Sequence, residues 1–427
     1  MMEDNLSGML FVFIVTGFVQ YVLVRKRISS IADPLAYFVM TSAFSLALGC
    51  FASDDPWVVA RIFVYFACFY VGFNFAAGRA RLALPPIEIH GNIRQFRAVV
   101  ITCCVVYVGF NALVWAKSGV ILLSEDPTLQ KSEAYAGGFG FVRRMNWSVG
   151  VFVLIASLYC WLWERSAIAA LALMIAVLTA LTGGGKGSLL PAVFGIGLFI
   201  AKPFATLQGH DDAARLRRVI PVLLSLASIP VAIVLISEHG AVLEAIDAFV
   251  VRLFYFGDVL LYWGQETVRH HFAELGPIDY VRNTFGSVLG ALRMIDYDIP
   301  IGNQFVQHTL PTGVDFSESL GPNLPFYVRG ELYFGPLFAP LHAFAVGFIF
   351  GRLRKLFLAY RGRSLLTYSL LSSTVAISVS LPTDEGLAVG QAFDFAMFFL
   401  PIYAVVSYFI APVRRVMPPR LVAEAPR

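Results

Sequence analysis

Long apolar runs alternate with short polar segments along most of this chain. Eleven runs approach the length that crosses a bilayer, which is about 20 residues and rarely below 17. They are Leu6–Val24, Leu35–Phe51, Trp57–Ala77, Ala98–Ala116, Trp147–Trp163, Ser166–Thr182, Ser188–Ala201, Val219–Ile236, Leu332–Phe350, Leu365–Leu381 and Phe393–Ala411. Each run predicts a transmembrane helix, with Ser188–Ala201 short enough to be re-entrant instead.

Composition agrees with this pattern. Hydrophobic residues make up 58% of the chain and charged residues only 14%, with a mean hydropathy of +0.72. Soluble domains carry roughly a quarter charged residues, and interiors grow too slowly with chain length to hide so much apolar surface. We therefore predict an all-α fold: a polytopic membrane helix bundle of about 11 transmembrane helices, in one multi-pass domain over residues 1–427.

The distribution of Lys and Arg predicts the topology. With the N-terminus on the outer side, 21 of the 32 basic residues fall in inner segments, as expected for cytoplasmic loops. Short outer loops carry acids instead, as in Asp54-Asp55 and Asp384-Glu385. The first run lacks the basic start and the small-residue cleavage site of a secretory signal, so we expect it to be retained. The C-terminus is then cytoplasmic.

Charge and cysteine content narrow the possible ligands. A net charge of +4 that is spread by topology does not indicate a nucleic acid partner. All five cysteines lie inside apolar runs, where cysteine behaves as a small hydrophobe, and none has metal-site spacing. We expect no disulfide, no metal and no cofactor.

One long outer loop, from Ser237 to about Glu331, has room for folded structure. An amphipathic helix is predicted near residues 241–263, lying at the membrane surface or against the bundle. A second is predicted over 277–294, where Pro277 suits the first turn. In it Arg282 and Arg293 share a face with Gly286 and Gly290 between them. The glycines either pack against another helix or floor a groove that a lipid-linked phosphate could enter.

Further candidate anion ligands lie elsewhere on the outer side. Lys186 precedes Ser188, which can cap the seventh span, and a helix N-terminus attracts anions. The alternative is a flexible connection with a snorkelling lysine. Arg143 ends another outer loop as an anion ligand or an interfacial anchor. Arg61 lies within a span, as a snorkelling residue or a site residue.

Two stretches give the chain a family resemblance. One runs Leu181-Thr182-Gly183-Gly184-Gly185-Lys186-Gly187-Ser188-Leu189-Leu190, and the other runs from Gly321-Pro322-Asn323 through Phe326-Tyr327 to Gly330-Glu331-Leu332-Tyr333-Phe334-Gly335. Together with the layout, they resemble the Wzy-type O-antigen polymerases of bacterial inner membranes. The Arg-x10-Gly pattern of some members occurs here only inside a span, from Arg61 to Gly72.

The resemblance implies a reaction at the periplasmic face. A glycan on undecaprenyl pyrophosphate would be transferred to a new lipid-linked oligosaccharide repeat unit, with membrane lipids around the enzyme and a flippase and a chain-length regulator as partners. Cations must hold the leaving pyrophosphate, and a base must accept a proton. The candidates for the pyrophosphate are Lys186, Arg143, Arg252, Arg282, Arg293 and Arg329, and those for the base are Asp258, His308 and Glu331.

Three other functions remain open at this point. One is a structural or assembly subunit, which the arginine-rich outer loop makes less attractive. An O-antigen ligase has the same layout and donor but passes the glycan to lipid A core. A transporter of lipid-linked oligosaccharide needs charged residues along a path through the spans, whereas here the span interiors carry few charges apart from Arg61 and Asp394. Because the polar residues lie mainly on one side of the membrane and not within the spans, the sequence favours an enzyme over a transporter.

Overall fold

The structure is a computed structural model that describes most of the chain. Residues 1, 54, 79–86, 90–91, 125–129, 131–132, 136–138, 184–186, 205–211, 215, 219, 222–223, 226–227, 229–231, 233–241, 297–298, 310–320 and 411–427 lie outside the description. The described residues include seven helices long and apolar enough to cross a membrane, together with shorter apolar helices. The predicted all-α, multi-pass membrane helix bundle is confirmed.

The described residues form fifteen α-helices. They are α1 (Met2–Val24), α2 (Pro34–Ala52), α3 (Pro56–Ala77), α4 (Ile93–Ser118), α5 (Gly140–Glu164), α6 (Ala167–Thr182), α7 (Leu190–Ala201), α8 (Val242–Phe254), α9 (Val259–Trp263), α10 (Glu266–His271), α11 (Pro277–Ala291), α12 (Ile301–Thr309), α13 (Phe326–Ala359), α14 (Leu365–Ser378) and α15 (Glu385–Phe409). Each predicted span has its helix except Val219–Ile236, which lies largely outside the described residues.

Side-chain caps set several helix starts. Asp33, Asp55 and Asp384 each accept a backbone N–H from the first turn of the helix that follows, and Ser166 and Ser364 do the same for α6 and α14. Such caps satisfy N–H groups that have no partner within the helix. Because Asp384 is the cap, α15 begins at Glu385, eight residues before the apolar run that predicted it.

Glycines let α3 and α13 approach closely at the centre of the bundle. A Cβ at Gly72 would overlap the backbone of Phe344, and one at Gly347 would overlap the backbone of Phe69. Small residues at such a contact are how membrane helices gain packing without a hydrophobic driving force. The close approach fixes α13 against α3.

Helix α13 reverses direction at Gly335. Its backbone there has φ 70° and ψ 168°, and Pro336 follows. A Cβ at Gly330 would lie 3.4 Å from the Cα of Ala339, whereas a straight helix would separate these residues by about 13 Å. The segment before Gly335, here called the short arm (Phe326–Phe334), therefore packs back against the long arm that follows. The predicted span Leu332–Phe350 placed Gly335 inside one helix, which is corrected here.

The loop helices follow the predicted pattern with one break. The helix expected near 241–263 is divided into α8, a 3₁₀ turn over Tyr255–Gly257, and α9. The break fits its packing, because a Cβ at Gly257 would lie 2.7 Å from the Cα of Ser45 in α2. The helix expected over 277–294 corresponds to α11, which ends three residues earlier, at Ala291. The end of the bundle that carries 242–325 is here called the loop end.

A buried ion pair joins two segments at the opposite end. Asp33 is fully buried, and both its oxygens accept from the Arg354 guanidinium, at 2.8 and 2.7 Å. Arg354 also donates to the Arg27 carbonyl at 2.6 Å. The pair links the α1–α2 turn to the long arm of α13.

Candidate functional site

A cavity of about 1120 Å³ lies at the loop end. Its walls come from α5, α11, α15, the short arm, and the segments around α12 and Leu324. Five arginines line it: Arg143, Arg144, Arg282, Arg293 and Arg329. Asp279, Asp384 and Asp394 are the acids in the lining, so the cationic groups outnumber the acidic ones. It is called the arginine-lined cavity below.

The cavity brings together four of the predicted pyrophosphate ligands, Arg143, Arg282, Arg293 and Arg329. Arg252 is exposed on α8 and lies outside the lining. Lys186 lies outside the described residues. These four arginines are separated by up to 186 positions in sequence, yet all of them lie at the loop end. The predicted cationic surface therefore corresponds to the lining of this cavity.

Arg329 lies at the floor of the cavity and is only 2% exposed. Its Nη1 donates to Thr284 Oγ1 at 3.0 Å and its Nη2 to Asp384 Oδ1 at 3.4 Å. Within the described part of the chain its Nε has no hydrogen-bond partner. A buried cation with an unused donor favours an acceptor on the cavity side.

The glycines of α11 are predicted either to pack against another helix or to line a groove. A Cβ at Gly286 would meet nothing within 4 Å, so this glycine faces the open cavity. Packing against α15 instead uses glycines of α15: a Cβ at Gly390 would lie 2.6 Å from Ser287 Oγ, and one at Gly386 would lie 3.3 Å from the Asn283 carbonyl. The α11 surface is therefore both packed and, at Gly286, accessible to a ligand.

Arg293 ends α11 in a backbone conformation that usually selects glycine. Its φ is 56°, its N–H donates to the Gly290 carbonyl at 3.0 Å, and the Met294 N–H donates to Leu289 at 2.9 Å. This is the Schellman arrangement, in which the left-handed residue is most often glycine. An arginine in this conformation destabilises the fold by about 1 kcal/mol relative to glycine. It also places a guanidinium group at the cavity, and strained residues of this kind cluster at functional sites.

Two neighbouring arginines of α5 differ in their contacts. Arg144 donates through Nε to both oxygens of Asp394 at 3.0 Å and through Nη2 to the Ser287 carbonyl at 3.1 Å. Arg143 lies over the Trp147 ring at 4.7 Å. Asp394, an acid predicted inside a span, thus pairs with Arg144, and Arg143 keeps a less constrained charge in the cavity.

The membrane side of the cavity is apolar. Phe141, Trp147, Met397 and Phe398 line it, and the Phe141 and Phe398 rings lie 4.9 Å apart. Phe141 is 50% exposed and Met397 49% exposed, on helices that cross the membrane. The cavity is therefore amphiphilic, with guanidinium groups beside a surface that lipid chains can contact.

The carboxylates inside the cavity are not the ones predicted as bases. Asp279 and Asp384 line it. Beneath them Glu385 is 2% exposed, accepts from the Tyr280 hydroxyl at 2.6 Å, and lies 3.1 Å from His342 Nε2. Burial and the Glu385 carboxylate raise the pKa of the Tyr280 hydroxyl. The Asp384-Glu385 pair was visible in sequence as an outer loop, but its proximity to Arg329 was not.

The three predicted base candidates lie outside the lining of this cavity. Glu331 accepts from Arg61 at 2.9 Å and from the Tyr65 hydroxyl at 3.0 Å, which ties the short arm to α3. The His308 ring stacks on the His271 ring at 4.1 Å. Asp258 begins α9, and burial raises its pKa to about 7. Arg61, predicted as a snorkelling or site residue, thus has Glu331 as its partner.

The burial of Asp258 predicts that the stability of the fold depends on pH. Because its pKa rises from 3.8 to about 7 on folding, the unfolded chain loses the proton at lower pH than the folded one. The free energy of unfolding should therefore fall as pH rises from about 4 to about 7. The slope is about 1.4 kcal/mol per pH unit, which amounts to a few kcal/mol over this range. Asp258→Asn should remove this slope in thermal unfolding curves of the purified protein. Glu274→Gln, at an exposed loop-end position, should retain it, and parallel curves for wild type and Asp258→Asn would contradict the assignment.

Comparison of the chain with protein-family models, curated proteins and solved structures finds no match. The fold and the cavity define its class: an all-α, multi-pass membrane protein with an amphiphilic, arginine-lined cavity at one end of the bundle.

Proposed function

We propose that this protein is a membrane glycosyltransferase that polymerises undecaprenyl-pyrophosphate-linked oligosaccharide repeat units, acting at the periplasmic face of a bacterial inner membrane. One observation carries the proposal: a single cavity combines five arginines with an apolar side toward the membrane. An amphiphile with a multiply charged anionic head and a long hydrocarbon chain has the matching chemistry. The resemblance to the Wzy-type polymerases gives that amphiphile its identity.

The arginines take the role of holding the diphosphate. Guanidinium groups match phosphate oxygens in a planar fork, and donors fixed in advance around a developing anion are the largest single contribution in many enzymes. Arg293 and Arg143 have no carboxylate within salt-bridge distance among the described residues. Arg329 is buried at the floor, so its charge is poorly screened by water.

The transfer step is a substitution at the sugar's anomeric carbon. A hydroxyl of the acceptor repeat unit attacks this carbon, a new C–O bond forms, and the bond to the diphosphate oxygen breaks. Undecaprenyl pyrophosphate leaves as an anion that the arginines stabilise. The hydroxyl proton passes to a carboxylate, for which Asp384 is the first choice because it lines the cavity beside Arg329. Asp258, His308 and Glu331 would need a rearrangement to reach the cavity.

Deletion of the gene in its native bacterium tests the proposal. Electrophoresis of the lipopolysaccharide should show a single repeat unit on the core in place of a ladder, restored by the wild-type gene. Loss of all polysaccharide from the core would instead indicate a ligase. An unchanged ladder would contradict both functions.

A transporter is the remaining alternative, and the pairing of the intramembrane charges argues against it. Arg61 pairs with Glu331, Arg144 with Asp394 and Arg354 with Asp33. Paired charges hold helices together, whereas a translocation path needs polar groups available to a moving substrate. The cavity also lies at one end of the bundle.

A further inference from the structure

We infer that the floor of the arginine-lined cavity is a sugar subsite, in which Tyr333, Ser287 and Asp384 bind hydroxyl groups of the acceptor repeat unit. This inference rests on the proposed function and divides its site in two: sugar at the floor, diphosphate at Arg143, Arg282 and Arg293.

The floor contains polar atoms with unused hydrogen-bonding capacity. The Tyr333 hydroxyl, Ser287 Oγ and Arg329 Nε are all buried and have no hydrogen-bond partner within the described ranges. Tyr333 and Arg329 are each 2% exposed, and all three residues line the cavity. Buried polar groups are almost always paired in folded proteins, and a buried tyrosine hydroxyl usually finds a partner. Three such atoms in one place indicate a ligand that supplies the missing partners.

The neighbouring carboxylate distinguishes a sugar from a phosphate. Asp384 Oδ1 lies 3.4 Å from Arg329 Nη2, so an anion that contacted Arg329 would also approach Asp384. Glu385 lies directly beneath, 2% exposed. Like charges at such distances repel strongly where water is excluded. A neutral hydroxyl can both donate to Asp384 and accept from Tyr333 or Ser287. The mixed set of donors and acceptors therefore fits a polyhydroxyl ligand.

Amide side chains extend the same chemistry. Asn283 and Gln391 also line the cavity, on α11 and α15. Each presents two donors and an acceptor. By contrast, Arg282 shares the face of α11 that carries the open Gly286, and Arg293 follows the end of this helix. The cavity thus has a region of neutral and acidic polar groups, which suits the acceptor's hydroxyl groups, beside a region of guanidinium groups, which suits the donor's diphosphate.

Tyr333→Phe and Ser287→Ala test the subsite in the full-length protein in lipid nanodiscs. The donor is the lipid-linked repeat unit purified from the deletion strain. The acceptor is the repeat oligosaccharide as a fluorescent alkyl glycoside, which lacks a diphosphate and cannot act as donor. Each variant should raise the KM for this acceptor by about threefold to tenfold, as expected for one lost hydrogen bond between neutral groups. Inhibition by inorganic diphosphate should be unchanged.

The controls separate binding from folding. Phenylalanine keeps the Tyr333 ring, and the hydroxyl it removes is unpaired, so the unfolding temperature should not fall. Tyr408→Phe, at a side chain 81% exposed on α15, should leave the KM unchanged.

Three results would overturn the sugar subsite. Weaker inhibition by diphosphate in Tyr333→Phe or Ser287→Ala would make the floor a phosphate site. An unchanged KM in both variants would make the unpaired atoms irrelevant to the acceptor. A wild-type protein that transfers no glycan would remove the proposed function as well, whereas the first two results leave that function standing.

Discussion

Replacing Arg329 with glutamine should slow glycan transfer by about tenfold, because it removes a poorly screened positive charge that lies near the developing anion without contacting it. Arg329 is the most buried of the cavity arginines and faces Asp384 and Thr284. In the proposed mechanism its charge acts across the cavity on the leaving diphosphate with little screening, without direct contact. Arg329→Lys keeps the charge but not the planar fork, so its rate should lie between those of the wild type and the glutamine variant.

The rate of ladder formation, measured at equal protein level, checks this result. Arg252→Gln is the matched control, because Arg252 is an exposed arginine at the loop end outside the cavity lining. Unfolding temperatures should be recorded for all variants, since Arg329 also neutralises the acids around it. A glutamine variant that folds and keeps the full rate would remove Arg329 from the site.

Replacing Arg354 with methionine should destabilise the protein by about 3–5 kcal/mol, the cost of leaving a buried charge without its partner. Asp33 is 0% exposed and receives two hydrogen bonds from Arg354. Methionine retains much of the side-chain volume, so the loss should come from the uncompensated carboxylate. The yield of monodisperse protein in detergent and its unfolding temperature should both fall.

A double-mutant cycle isolates the pair. Asp33→Asn combined with Arg354→Met removes both charges, and we expect the double variant to be more stable than Arg354→Met alone. Arg352→Ala, an exposed arginine two residues away, should unfold like the wild type. A double variant no more stable than Arg354→Met would show that the pair's charge is not what stabilises this end of the bundle.

The membrane helices could be predicted from sequence because lipid imposes a simple rule. Each span needs about 20 apolar residues, and α1 to α4 lie where their apolar runs do. The rule fails at Gly335, because apolar residues stand on both sides of the reversal. Phe334-Gly335-Pro336 was the available signal: glycine permits the positive φ, and proline cannot continue a helix from the preceding turn.

The site was predictable in part. Helical spacing predicts that Arg282 and Arg293 lie on the same side, and both line the cavity, although α11 ends at Ala291 and Arg293 follows it in a left-handed conformation. The proximity of Arg329 to Asp384 does not follow, since it depends on how the short arm folds back toward the start of α15. The same holds for Arg61 and Glu331, which are 270 positions apart. An ion pair between two residues far apart in the chain produces no periodic pattern in the sequence, so it cannot be predicted from spacing.

The reversal at Gly335 also bears on how the chain is assembled in the cell. The short arm is far too brief to cross a bilayer, and its buried residues Arg329 and Glu331 make it a poor substrate for insertion on its own. Its partners come from both earlier and later in synthesis: α3 supplies Arg61, and the α14–α15 turn supplies Asp384. The short arm can therefore reach its final position only after the α14–α15 turn has been made, and the arginine-lined cavity, which α15 also lines, is completed only after α15 has followed.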